Sequence, residues 1–211
     1  VSGVTAVVFD LGGVLIEWDP RHLYRKLLGD DEEVEDFLEE VGFARWNARV
    51  DAGVHTWAEA VATLVARHPH HRELIEAYPA RFAETIPGEV PGTVDVLRDL
   101  HAAGTRLFAL TNWSAETFGQ ARARFAFLDL FDGIVVSGEE RVAKPDPRAF
   151  RLLLERFALD PAATVFVDDR QDNVDAATTV GMLGTLFTGA DDLRRQLTRL
   201  GLPPRIGDGS G

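Results

Sequence analysis

The sequence predicts an α/β fold: a parallel five-stranded sheet flanked by helices, with an all-helical segment inserted after the first strand. Two observations carry this. From about residue 90 onward, short apolar runs alternate with helical patterns, and such alternation builds parallel sheets through right-handed crossovers. Between residues 20 and 85 only helical spacing is found, over a length too great for a connection inside a compact domain.

Taken in order, Val4 to Phe9 (VTAVVF) reads as a buried strand and ends at Asp10, followed by Leu11-Gly12-Gly13. Helical spacing follows in Pro20 to Leu28, Asp31 to Val41, Trp57 to Arg67 and Arg72 to Thr85. Thr93 to Ala103 then sets Val94, Leu97 and Leu100 on one helical face. The second strand, Thr105 to Leu110, ends at Thr111-Asn112, and the third, Gly133 to Val136, leads through Ser137 to Lys144-Pro145. Pro147 opens a helix that runs to Phe157, since proline suits the first helical turn. The fourth strand, Thr164 to Val167, ends at Asp168-Asp169; a helix over Asn173 to Val180, a strand over Leu183 to Phe187 and a helix over Asp191 to Leu200 complete the order. The expected organisation is a sheet domain over 1–16 and 88–201, a helical cap over 17–87 with hinges near Ile16 to Pro20 and Pro87 to Gly92, and a flexible tail over 202–211.

Composition narrows the chemistry. The 211 residues are 45% apolar and 27% charged, as in ordinary globular domains, and contain no cysteine. Disulfides and thiolate ligands are therefore excluded, so a metal must be held by oxygen or nitrogen. The net charge of -12 argues against a nucleic-acid partner. No apolar run has the length of a membrane span, and the first residues lack a leader pattern, so the expectation is a cytoplasmic protein without a membrane partner. Oligomeric state is not readable. An acidic chain that handled anionic substrates would need local positive charge.

The polar residues collect where such chemistry belongs. Ligands of open parallel sheets bind at the carboxyl ends of the strands, and four of the five strands end in or lead to Asp10, Thr111-Asn112, Lys144 or Asp168-Asp169. Any one of these could be a turn residue; their joint placement along one edge points to a site. Three carboxylates repel unless a cation lies among them, and an oxygen-only donor set suits Mg²⁺. Asp10 would attack phosphorus, Lys144 would pair with phosphoryl oxygens, and the Thr111 hydroxyl would hold another. Gly12 and Gly13 would let the backbone approach the phosphate.

Four segments, FDLGGVL around Asp10, LTNWS around Thr111, KPDPRAF from Lys144 and VFVDDRQDNVDAA around Asp168-Asp169, together resemble the haloacid dehalogenase-like superfamily in order and spacing. The helical insert resembles that family's first type of cap, and small bacterial sugar-phosphate phosphatases look most similar. The resemblance implies a Rossmann-like core and a Mg²⁺-dependent phosphatase acting on a small phosphorylated metabolite through an aspartyl phosphate. It implies Asp10 as nucleophile and metal ligand, the Gly12 carbonyl and Asp169 as further ligands, Asp168 as their neighbour, and Thr111 and Lys144 as the phosphate-binding pair. Asn112 and Asn173 occupy positions that support substrate or Lys144. One departure is plain: many family phosphatases carry an acid-base aspartate two residues after the nucleophile, and here that residue is Gly12.

Three rival readings have distinct signatures. A metal-free dehalogenase would attack carbon with Asp10, but Asp168-Asp169 would oppose its anionic substrate. A receiver domain would carry its paired acids after the first strand, whereas here they follow the fourth. A non-catalytic phospho-ligand binder fits the loss of the second aspartate. Among lesser signals, His68, His70 and His71 read as a solvated turn rather than a metal site. Trp46, Asn47 and Arg49 either face the active site or, for Trp46, anchor the insert's own core. Trp18 and Trp113 either line the pocket or pack, and the acidic stretch Gly29 to Glu40 reads as a solvated helix start.

Overall fold

A computed structural model describes residues 3–202. Its sheet has the order β3-β2-β1-β4-β5, every pair parallel. The strands are β1 (Ala6–Phe9), β2 (Arg106–Thr111), β3 (Gly133–Val136), β4 (Thr164–Asp168) and β5 (Leu183–Leu186). Between β1 and β2 lie α1 (Arg21–Leu28), α2 (Asp31–Glu40), α3 (Phe43–Asp51), α4 (Trp57–Arg67), α5 (Arg72–Ala80) and α6 (Thr93–Ala102). After β2 come α7 (Ala115–Arg124), α8 (Ser137–Glu140), α9 (Pro147–Arg156), α10 (Gln171–Thr179) and α11 (Ala190–Arg199).

β1 is central because all four of its residues are apolar and none is exposed. Its period-two alternation feeds both faces of the sheet. Val7 and Phe9 join the apolar cluster that includes the helical insert; Ala6 and Val8 join the one that holds Phe150 and Leu153 of α9 and Ala177 of α10. Local chemistry fixes the helix starts. Asp30 accepts from the Glu32 and Glu33 amides to open α2, Thr56 and Glu59 form a reciprocal capping box on α4, and Ser114 caps α7. Pro147 sits at the start of α9 behind the Asp146 cap.

Besides the short α8, which the sequence reading did not include, the elements depart from it in three places. α3 follows a left-handed Gly42 (φ 63°) and buries only Phe43, Asn47 and Val50, too sparse a stripe to announce a helix. α7 buries Thr117, Phe118 and Ala121 beneath a polar exterior and was equally faint. The pattern over Arg72 to Thr85 splits: Pro79 lies inside α5, which stops at Ala80, and a 3₁₀ turn takes Phe82–Thr85. The expected tail lies outside the described residues apart from Leu202, which is 7% exposed and packed into the core.

The insert has its own aromatic centre. Tyr78 is fully buried and its ring meets those of Tyr24, Phe43, Trp46, Trp57 and Phe82 at centroid distances of 4.9–6.3 Å. Trp46 donates its indole N–H to the Ala60 carbonyl (3.0 Å), so it anchors this centre. The insert also meets the sheet domain directly. Trp57 N–H donates to the Glu116 carboxylate (2.8 Å), Arg124 donates to the carbonyls of Ala83 and Pro87 (3.1 and 2.6 Å), and Phe82 packs edge-on against Trp113. Among the described residues no helix is long and apolar enough to cross a membrane.

Replacing Tyr78 with alanine should destabilise the protein by about 3–5 kcal/mol, as for other buried aromatic truncations. Tyr78→Phe keeps the ring and loses the hydroxyl's hydrogen bonds, the 3.3 Å bond from Trp18 Nε1 and one to Thr85, so it should cost about 1–2 kcal/mol. Urea denaturation of the two variants distinguishes the packing contribution from that of the hydroxyl.

Candidate active site

Sheet register assembles the site. β1 and β4 pair so that Phe9 lies beside Val167, and Asp10 N–H continues the ladder by donating to the Val167 carbonyl (2.8 Å). The next residue on each chain is therefore an aspartate, Asp10 beside Asp168. β2 flanks β1 on its other side and ends at the buried Thr111.

Lys144 lies between the two aspartates. Its Nζ is 2.9 Å from Asp10 Oδ1 and 2.7 Å from Asp168 Oδ2, and the residue is only 4% exposed. Asp10 Oδ1 also accepts the Leu11 amide (2.7 Å). Asp168 is fully buried and further accepts from Asn173 Nδ2 (2.9 and 3.0 Å) and the Arg170 amide (2.9 Å). Buried charges persist only when paired and hydrogen-bonded, and every oxygen of Asp168 meets that condition. Behind them, Asn112 clasps the backbone of Lys144 at both ends: its Nδ2 donates to the Lys144 carbonyl (2.8 Å) and its Oδ1 accepts the Lys144 amide (2.9 Å). The two asparagines, expected to support substrate or Lys144, thus spend these bonds positioning Lys144 and Asp168, while Asn173 Oδ1 is buried without a protein partner.

Asp169 is the exposed member, and ligand atoms of Asp10, Asp168 and Asp169 all lie within 4.8 Å of one another. Gly13 is required here: its φ is 77°, and a Cβ there would fall 2.5 Å from Asp169 Oδ2. Gly12 is under no such constraint, because a Cβ would meet only Trp18 Cβ, at 3.9 Å. The cluster is short of positive charge. Burial pushes the Asp10 carboxyl up to about 7, Lys144 opposes this, and Asp168 and Asp169 add to it. Asp169 is also raised, first by burial and then by Asp168.

The sequence reading missed Asp51, at the end of α3. Its carboxylate accepts from Asn47 Nδ2 (2.6 Å) and from the Ser114 backbone amide, and its carbonyl accepts from Ser137 Oγ. This ties the insert to the loop that begins at Thr111. Gly53 seals the same seam, since its φ is 67° and a Cβ would lie 2.7 Å from the Gly138 carbonyl oxygen. The only hint in the sequence was an acid two residues before a glycine. Of the other residues considered, Arg49 bonds to His55 (2.9 Å) and Trp113 is buried, donating to Thr117 Oγ1 (3.2 Å). Trp18 is 38% exposed.

Burial pushes Asp51 up to about 8, against the lowering by Ser114 and Asn47. A carboxyl whose folded pKa exceeds its unfolded value of 3.8 favours folding most below that value, and the benefit is lost as pH rises through about 8. Relative to Asp51→Asn, the wild-type chain should therefore lose stability between pH 4 and pH 8 and run parallel to it above. Paired thermal melts across that range measure the difference.

Comparison with known proteins gives the family. The family model for haloacid dehalogenase-like hydrolases matches residues 4–181. A sesquiterpene phosphatase of Aspergillus oryzae is 31% identical over 87% of this chain and 89% of its own length. A phosphoglycolate phosphatase of Cereibacter sphaeroides is 28% identical over 86% of this chain and 84% of its own. Among solved structures, the HAD family enzyme BT-2542 of Bacteroides thetaiotaomicron superposes with a TM-score of 0.73 at 20% identity, covering 93% of this chain and 99% of that one; the enzyme has also been solved with magnesium and inorganic phosphate. With the family model spanning most of the sequence, this chain belongs to the haloacid dehalogenase-like hydrolases and is a phosphatase among them.

Proposed function

We propose that this phosphatase hydrolyses a small phosphate monoester, with sugar phosphates the first class to test, in two steps through a phosphorylated Asp10. The observation that carries the reading is the convergence of three carboxylates around one buried lysine at the carboxyl ends of β1 and β4.

The donor set fits a divalent cation. It is all oxygen, its members are mutually within reach, and its raised carboxyl pKa values mark a place where added positive charge is favourable. Asp10, Asp169 and the Gly12 carbonyl would hold Mg²⁺, with Asp168 beside them. The Gly12 carbonyl is open to this role: the Leu11 carbonyl accepts the amides of Val14, Leu15 and Ile16, whereas that of Gly12 accepts none among these turn bonds. When bound, Mg²⁺ supplies charge neutralisation for nucleophile and phosphate together.

The protein's own groups do the rest. The Leu11 amide and Lys144 orient the Asp10 carboxylate toward phosphorus. Attack forms the Asp10–phosphorus bond and breaks the bond to the ester oxygen; water then attacks phosphorus, releasing phosphate and restoring the carboxylate. Lys144, held by Asn112 and Asp168, faces the charge that develops on the transferring group. The Thr111 hydroxyl binds a phosphoryl oxygen. A metal-free dehalogenase is disfavoured by the same fact, because Asp168 and Asp169 add negative charge where its anionic substrate would sit.

Asp10→Asn should reduce turnover of p-nitrophenyl phosphate to background without lowering the melting temperature, and EDTA should do the same to the parent until Mg²⁺ is restored. Full activity in either case would overturn the mechanism. Gly12→Asp should be accommodated, given the space around that position. It should raise kcat on alkyl phosphates by about 10²-fold, the typical contribution of a positioned general acid, with little effect on p-nitrophenyl phosphate, whose leaving group needs no proton. Equal changes for both substrates would show that leaving-group protonation is not what Gly12 lacks.

A further inference from the structure

A second cluster of ligating side chains stands apart from the carboxylates of the sheet. Glu40 ends α2, and a 3₁₀ turn, Pro69–His71, joins α4 to α5. His70 Nε2 lies 2.9 Å from Glu40 Oε1 and His71 Nε2 lies 3.0 Å from Glu40 Oε2. His68 Nδ1 lies 3.5 Å from Glu40 Oε1. Three imidazoles thus aim a nitrogen at one carboxylate, more than an ion pair requires. The rings of His70 and His71 are neighbours, at a centroid distance of 4.2 Å, and Phe37, on the same helix as Glu40, meets the His71 ring edge-on at 5.1 Å. His71 is held on that side, with its side chain only 20% exposed.

We propose that Glu40, His70 and His71 form a binding site for a divalent transition ion of the zinc class, joining α2 to the α4–α5 turn. One ligand atom from each of the three lies within 4.8 Å of the others. Ligand atoms around tetrahedral zinc at its usual bond lengths are separated by about 3.3 Å, so no pair has to close by more than about 1.5 Å. Two imidazoles and a carboxylate select a borderline ion over Mg²⁺, which prefers oxygen. Binding through both Nε2 atoms leaves the ring proton of each imidazole on Nδ1. His68 is placed to hold the Glu40 carboxylate as a positioning residue. The ion would stabilise the insert by mass action, binding the folded chain and not the unfolded one.

The test is a Co²⁺ titration of the full chain with Mg²⁺ in excess, read by visible absorption, calorimetry and thermal melting. The parent should bind one equivalent more than either His70→Ala/His71→Ala or Glu40→Gln. Its melting temperature should rise by about 5 °C at a hundredfold excess over Kd, and both variants should lose that rise while keeping Mg²⁺-supported phosphatase activity. Equal stoichiometry and equal melting shifts in parent and variants would overturn the proposal. X-ray absorption of the Zn²⁺-loaded parent gives a reading that does not depend on variants: imidazole scattering from two rings supports the site, and an all-oxygen shell refutes it.

Discussion

The ammonium of Lys144, shared between Asp10 and Asp168, is the interaction on which the rest of the site depends. Two buried carboxylates on adjacent strands would repel across a low-dielectric gap, and a single positive charge between them offsets only part of that repulsion. The surrounding structure holds the arrangement in place. Asn112 fixes the Lys144 backbone at donor and acceptor alike, Asn173 and the Arg170 amide satisfy Asp168, and the Leu11 amide holds Asp10. Three carboxylates still face one ammonium, and the Asp10 carboxyl is displaced upward, first by burial and then, against the pull of Lys144, by Asp168 and Asp169. A site of this kind is predisposed to take up a cation and a reacting group whose charge that cation can share.

The same imbalance explains how a chain of net charge -12 can handle phosphate. The overall field repels anions, so affinity has to be local. Here the locality comes from sheet geometry: equal register between β1 and β4 turns two distant aspartates into neighbours, and the loop after β3 brings Lys144 back between them. No binding group needs to come from the acidic surface.

Much of this was legible in the sequence, for a physical reason. A buried parallel strand must be apolar on both faces, so β1 and β4 stand out, and the polar residue that ends each run marks the strand end where ligands bind. Asp10, Asp168 and Asp169 were found that way, and Lys144 as the cation to which the third strand leads. For Asn112 and Asn173 the sequence left two alternatives, support of substrate or of Lys144, because an asparagine that binds substrate and one that clasps a neighbour's backbone look identical until the partner is known. α3 and α7 were missed because their buried faces are narrow and partly polar. Asp51 was missed because its significance lies in a contact with Ser114, far along the chain, and no local pattern encodes such a contact.

The two ligating clusters differ in a way that would let them coexist in one small protein. The sheet cluster offers carboxylate oxygens; the insert cluster offers two imidazoles with one carboxylate. Hard, strongly hydrated ions favour the first, and borderline ions with higher affinity for nitrogen favour the second. A transition ion held by imidazole in the insert would be drawn away from the carboxylates of the sheet, since donor type separates the two preferences more reliably than raw affinity does. The absence of cysteine from the chain supports the same division: with no thiolate to capture soft ions at either place, the choice rests on oxygen against nitrogen alone.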